Sequence, residues 1–352
     1  MAVVKVPISK VITGHKAVRA ALRDTETFSS DLQGDADVRN YRQYPLEVDP
    51  PRHHLYRAAL APFFVKPTIE KLEPQFRSNT KKLIDQFFLD QSQEAIAKLV
   101  LPIVMHNLGT LYNRSQDVEE WISWGPDVWT ATGAHRDGSV LHAYIDRVYA
   151  ECKSSSVVDI WQQIANLEID GEVISEIEFK GISGIMLAGG RDTVVKLLAG
   201  MLWFFASNLN EKVFLRAHPE HLDNAVNEFL RYLTPNTNMA RTTHPETGAT
   251  NLPEKRYVSM SFLSANFDEE VFPNPTKIDL TRARNPHLSF GFGPHTCIGN
   301  HLAEFEARIF LTEILALNID WEIDSRSKIT FFDTPLESVP HLFESLYLAV
   351  KG

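Results

Sequence analysis

Cysteine is scarce: Cys152 and Cys297 are the only two in 352 residues. No disulfide framework can hold such a fold, a reducing cytoplasm is the expected compartment, and each cysteine needs its own explanation. Long apolar runs are missing as well. The longest, Leu197 to Ala206, falls far short of the ~20 residues a spanning helix needs, and the opening MAVVKVPISK has no apolar core of signal-peptide length. No internal repeat and no low-complexity linker marks a boundary, so one domain over residues 1–352 is expected. Positive charge is in deficit, with 35 basic against 45 acidic residues and a net charge of -10, which argues against nucleic acid or an anionic membrane as the main partner. What is present, 44% hydrophobic and 23% charged residues, is enough for a folded protein with a sizeable core.

Residues 3–13 alternate weakly and are rich in Val and Ile, predicting one or two short strands before a helix over His15 to Asp24. From Asp49 the pattern turns helical. Asp49 is a candidate cap, Pro50 and Pro51 suit a first turn, and helical spacing recurs with breaks to about Leu233. The longest such stretch, Ile174 to Asn208, contains the adjacent glycines Gly189 and Gly190, followed by Arg191 and Asp192. Short extended pieces and prolines fill Pro235 to Asn285. A glycine-rich loop then leads into a last long helix from Cys297 to Leu317, and Ile329 to Val350 alternates as hairpin strands do. The fold class expected is mainly α with a smaller β region.

The densest pattern is Phe290-Gly291-Phe292-Gly293-Pro294-His295-Thr296-Cys297-Ile298-Gly299, directly before the helical NHLAEFEARIFLTEIL. Gly291 and Gly293 permit a tight turn with positive φ, Gly299 permits close backbone approach, and a helix N-terminus stabilises a thiolate. An isolated cysteine is more often a buried, inert one. A phosphate-binding turn is a second alternative, but Thr296 stands where the third glycine of GxGxxG belongs.

This loop resembles the haem-binding loop of cytochromes P-450, Phe-x-x-Gly-x-x-x-Cys-x-Gly, through Phe290, Gly293, Cys297 and Gly299. The resemblance implies the P-450 fold, with a long central helix over haem b, Cys297 as the proximal thiolate that favours O–O cleavage, and His295 on a propionate. Three further motifs follow in the family's order. Gly189, Gly190, Asp192 and Thr193 match the oxygen-binding part of the central helix; read without the family, a helix end with a new cap at Asp192 is as good a description. A turn widened at the two glycines to admit dioxygen is expected there. Glu228 and Arg231, three apart on one helical face, resemble the Glu-x-x-Arg pair, to which a structural role is assigned. The family completes this pair from a Pro-rich meander, and VFPNPTKIDL puts Lys277 where arginine is usual, although lysine cannot form the bidentate fork. Asp49-Pro50-Pro51-Arg52-His53-His54-Leu55-Tyr56-Arg57 resembles the helix that contacts propionates through His53 and Arg57, and Arg241 matches a further propionate-binding arginine. The likeness runs from about Val11 to Val350. Soluble members usually carry several tens of residues more before it, so a shortened N-terminal cover is expected.

By resemblance the activity is that of a haem-thiolate monooxygenase, with O2 as co-substrate, Asp192 and Thr193 delivering protons, and NAD(P)H acting only through a reductase. No flavin or nicotinamide domain is visible, so a ferredoxin and its reductase are the expected electron donors. Arg282, Arg284 and His287 are a candidate basic docking cluster for them. A small organic substrate is implied, with Tyr41, Tyr44, Ile185, Gly189, Asn236 to Met239, Val339 and Pro340 as candidate pocket residues. The alternatives are a peroxide-driven haem-thiolate enzyme, against which Asp192-Thr193 speaks, and a haem-binding sensor or carrier without turnover.

Overall fold

A computed structural model describes residues 8–31, 41–89, 92–125, 138–154, 159–243, 257–333 and 338–351. The chain opens with strand β1 (Ile8–Ile12) and helix α1 (His15–Arg23), which buries Val18, Ala21 and Leu22 at the spacing of one helical face. Strand β2 (Phe28–Ser29) follows, then α2 (Arg52–Leu60), which starts at Pro51 without a side-chain cap. The Asp49 carboxylate does not cap it. That carboxylate accepts from the Ser29 hydroxyl at 2.5 Å and the Ser30 amide at 2.7 Å, tying the end of β2 to the start of α2, while its backbone carbonyl takes the His53 amide.

Helix α3 (Glu73–Phe87) packs on α4 (Leu101–Tyr112), and α4 and α5 (Ser139–Ser154) pack against one long helix, α6 (Glu176–Ser207), with the short strand β3 (Ser92–Glu94) between α3 and α4. α6 is closed at its start by a capping box between Ser175 and Glu178. It buries residues on every side, as a helix threaded through a core must. It is α-helical without interruption through Gly189 and Gly190, so it neither ends at Asp192 nor shows the expected widened turn. Packing explains one of the two glycines: a Cβ on Gly190 would stand 3.0 Å from Leu108 of α4, whereas Gly189 meets only Ile185 of its own helix.

Helix α7 (Leu222–Leu233) leads through Pro235 into β4 (Asn238–Thr243) and β5 (Tyr257–Ser261). These join the first strands in a sheet of order β1-β5-β4-β2, with β1 parallel to β5 and the other pairs antiparallel. Helix α8 (Asn300–Ala316) begins three residues after Cys297, with Gly299 at its N-cap. Strands β6 (Trp321–Ile323), β7 (Lys328–Asp333), β8 (Ser338–Ser345) and β9 (Tyr347–Val350) end the chain. β7 and β8 form the expected hairpin, but β9 leaves it to pair with β3 and β6. The larger apolar core lies among α3 to α8. A smaller one, including Val18, Leu22, Val258, Met260 and Phe262, joins α1 to the four-stranded sheet.

Candidate active site

A cavity of about 320 Å³ takes its walls from both cores. α6 contributes Ile185, Gly189, Thr193 and Leu197, the 290–299 loop contributes all its residues save Gly293 and Pro294, and α2 and β4 contribute His53, Arg57, Met239 and Arg241. The loop is folded by its own backbone: the Gly291 amide donates to the Leu288 carbonyl and the Cys297 amide to the Phe290 carbonyl, both at 2.8 Å. Gly293 has φ +77°, and a Cβ there would lie 2.9 Å from the Leu22 carbonyl of α1, so the loop seats against α1 only with glycine at this position. Asn266, fully buried, holds the base of the loop by accepting from the Leu288 amide at 2.7 Å and donating to the Ser289 hydroxyl at 2.9 Å.

Cys297 is accessible and lines the cavity, and on a further side it borders a smaller pocket beside Val65 and His301. Burial pushes its thiol up, against the opposing pull of the Gly299 N–H and the Arg57 charge. Left alone it is a poor thiolate; a metal at the sulfur would remove the proton outright. Among the described residues no group of three or more His, Cys, Asp or Glu could hold a bare ion. A metal taken by Cys297 must therefore bring its other ligands with it.

At one end of the cavity four basic groups crowd together. His53 is buried with neither ring nitrogen hydrogen-bonded, and burial together with Arg57 and His54 drives it down to about 4. Its ring centroid lies 4.0 Å from that of His295, which is pushed down to about 2 by burial, His53 and Arg241. His295 has one polar partner, the Ser30 hydroxyl at 2.9 Å. Burial lowers Arg57, and lowers Arg241 to about 10. Among the described residues Arg241 donates only to the carbonyl of Ala240, and the one acidic group acting on it is Asp49, already engaged by Ser29 and Ser30. The two guanidinium charges have no facing carboxylate, which is costly, and a ligand carrying carboxylates would relieve them while offering acceptors to the two imidazoles.

On the other side Thr193 lines the cavity, its hydroxyl donating to the Gly189 carbonyl at 3.1 Å, while Asp192 pairs with Arg191 and stays half exposed. Tyr44, Ile185, Gly189, Asn236 and Met239 line the cavity as expected. Tyr41, Thr237, Asn238, Val339 and Pro340 do not: Tyr41 packs by Gly184 and His142, and Val339 is buried in the β7–β8 hairpin.

Glu228 and Arg231 are both fully buried and paired in a fork, at 2.7 and 2.9 Å. The third member of their network is not Lys277, which offers only its backbone carbonyl to Arg231. It is Arg282, whose Nε donates to Glu228 at 2.9 Å beside the Asn285 amide, because the chain reverses at Asp279–Arg282 and returns a guanidinium to the carboxylate. This removes Arg282 from the basic docking cluster. His287 leaves it too, being enclosed, bonded to Asn227 and driven down to about 4 by burial and Arg231. Arg284 alone of the three is exposed.

An iron porphyrin is a chelate that can offer its metal to one thiolate and its carboxylates to a pair of guanidinium groups beside two imidazoles, and the apolar walls suit its ring, so fold and cavity together fit the haem-thiolate class. Comparisons narrow the class. Residues 215–341 match the family model described as Cytochrome P450. The chain is 33% identical to "Probable cytochrome P450 127A1" of Sinorhizobium fredii, over 87% of this chain and 76% of the relative. It is 30% identical to "Erythromycin C-12 hydroxylase" of Saccharopolyspora erythraea, over 86% and 80%. It superposes on "The structure of a carbohydrate active P450" with a TM-score of 0.86 at 28% identity, covering 97% of this chain and 92% of that one. The chain belongs to the cytochrome P450 family of monooxygenases, which bind haem b and use O2. Among the described residues no helix is long and apolar enough to cross a membrane.

Proposed function

We propose that Cys297 Sγ would hold the iron of haem b in this cavity. The protein then places one atom of O2 in a small organic molecule and releases the other as water, using two protons and two electrons from a ferredoxin and its reductase. The observation that carries this reading is a single cavity lined by Cys297, by Gly189 and Thr193 of α6, and by His53, Arg57, Arg241 and His295, with neither ring nitrogen of His53 hydrogen-bonded. Bound haem supplies oxygen activation, to which a thiolate ligand adds electron density. The chain's own residues do the rest. His53, Arg57, Arg241 and His295 hold the propionates, and the Gly299 N–H stabilises charge on the sulfur. Gly189, lacking a side chain, would leave room in the cavity for a bound ligand, Thr193 would position a proton donor, and Asp192, half exposed, would exchange protons with solvent. The relatives' names point to unlike substrates, a macrolide and a carbohydrate among them, and none is transferred to this chain.

The test is the spectrum of the carbon monoxide complex of the reduced, haem-loaded protein. A thiolate-type band is expected, and it should vanish in Cys297→Ala. A histidine-type band, or a thiolate-type band that survives the substitution, refutes the assignment.

A further inference from the structure

Tyr112, at the C-terminal end of α4, lines the cavity, and its ring begins a run of oxidisable aromatic rings that leads away from it. Its centroid lies 6.4 Å from that of Trp121 in the short helix Val118–Ser123. Trp121 in turn lies 5.8 Å from Tyr144 of α5, and Tyr144 lies 5.3 Å from Trp124. These are contact distances for packed rings. Tyr112, Trp121 and Tyr144 are buried, whereas Trp124 is only half-buried and opens the run to the surface.

Among the described residues two other branches leave the cavity, and neither has an outlet. Trp161 is closer to Tyr112, at 4.6 Å, but it is buried, its indole N–H has no hydrogen-bond partner, and the next ring is Phe179, which gives up an electron far less readily. Tyr44, also in the cavity wall, stands 5.1 Å from Tyr56, whose hydroxyl donates to Glu178. Tyr56 is fully buried and packs on no further tryptophan or tyrosine. The Tyr144 branch has both an outlet and a proton acceptor. A phenol that loses an electron must lose its proton too, and the Tyr144 hydroxyl already donates to the Asp117 carboxylate at 2.8 Å. Arg114 faces the same carboxylate at 3.5 Å, so the proton is held weakly there and can be handed back.

We propose that Tyr112, Trp121, Tyr144 and Trp124 form an electron path by which the haem site discharges an oxygen atom that no substrate takes up. This rests on the haem-thiolate reading, which supplies the oxidant. Once O2 has taken two electrons and two protons, one oxygen atom leaves as water and the other stays at the haem with two oxidising equivalents. Two electrons drawn one at a time along the rings, with two protons from solvent, turn that atom into a second water. Each electron is replaced from the next ring outward. Tyr144 supplies Trp121 as Asp117 takes the phenol proton, and Trp124 supplies Tyr144 as Asp117 returns it. A thiol in solution restores Trp124, two thiols giving one disulfide, two electrons and two protons. Tunnelling falls steeply with distance, so short steps between contacting rings carry charge that one long step would not.

The experiment supplies the oxygen atom from peracetic acid to ferric, haem-loaded protein with a nitrone spin trap, without reductase or substrate. Peptide mass spectrometry locates the trapped label, and decay of the Soret band follows damage to the haem. Wild type should be labelled at Trp124. Trp121→Phe and Tyr144→Phe should each lose that label and bleach faster, while Trp161→Phe should keep the label and the wild-type rate. Tyr144→Phe removes only a hydroxyl, so it decides the matter even where Trp121→Phe fails to fold. The proposal is overturned by an unlabelled Trp124 in wild type, by a label that survives Tyr144→Phe or is lost in Trp161→Phe, and by equal labelling of haem-free protein. Bleaching of Tyr144→Phe no faster than wild type overturns it as well. A wild-type sample lacking the thiolate-type carbon monoxide band would instead fault the haem-thiolate reading itself.

Discussion

At the scale of single residues, Thr193 and Glu306 carry opposite lessons about a buried proton. The Thr193 hydroxyl donates to Gly189 within its own helix, as mid-helix threonines do. To position a proton donor it must exchange that bond for one to water. If it does, Thr193→Ala should keep haem and carbon monoxide binding while product per NADH falls and hydrogen peroxide rises; an unchanged ratio refutes the role. Glu306 has no such freedom. It is fully enclosed in α8, accepts from Asn107 at 2.8 Å, and burial pushes it up to about 8. Its folded-state pKa exceeds the unfolded value of ~4.3, so the stability it contributes is complete below the unfolded value and is lost as pH rises towards about 8. Glu306→Gln keeps a hydrogen-bonding amide and has no proton to lose. Relative to wild type it should gain on the order of 2 kcal/mol between acid and mildly alkaline pH, read from denaturant midpoints, and parallel curves would refute this.

At the scale of elements, the contest between Lys277 and Arg282 is settled by how the chain turns. Both lie in the segment after α7, but only Arg282 returns to Glu228, where a guanidinium fits a carboxylate already forked with Arg231. Arg282→Ala should cost about 2 kcal/mol, since a charged hydrogen bond to a wholly buried carboxylate is lost. Lys277→Ala should fall within about 0.5 kcal/mol of wild type, as expected of a side chain outside the network. Thermal or urea unfolding of the two variants compares them directly, and equal losses would contradict the arrangement.

At the scale of the whole molecule, the basic groups crowded at one end of the cavity, His53 and Arg241 buried among them, make stability depend on the prosthetic group. Ligand binding stabilises a fold by mass action, and here it also supplies the missing negative charge. Haem loading should raise the Tm of the wild type. Arg57→Ala combined with Arg241→Ala should narrow the gap between loaded and empty protein, mainly by lowering the loaded Tm, because the empty protein loses two unpaired charges. An undiminished gap would mean that these residues do not face the carboxylates.

Much of this was legible in the chain alone, for reasons that are local. A glycine-pinned cysteine turn before a helix, two glycines before Asp192-Thr193, and a Glu-x-x-Arg spacing are short-range demands, so sequence carries them, and the long central helix follows from its apolar spacing. Other features are decided only when distant segments meet. Asp49 looks like a cap but serves β2, β9 reads as part of a hairpin but pairs with β3 and β6, and the basic cluster before the cysteine loop dissolves because two of its members turn inward. Asn236 sits in a stretch whose residue types suit any turn. Which side chains line one cavity is decided only when α2, α6, β4 and the cysteine loop meet, and hydrogen-bond satisfaction across elements leaves no trace in residue spacing.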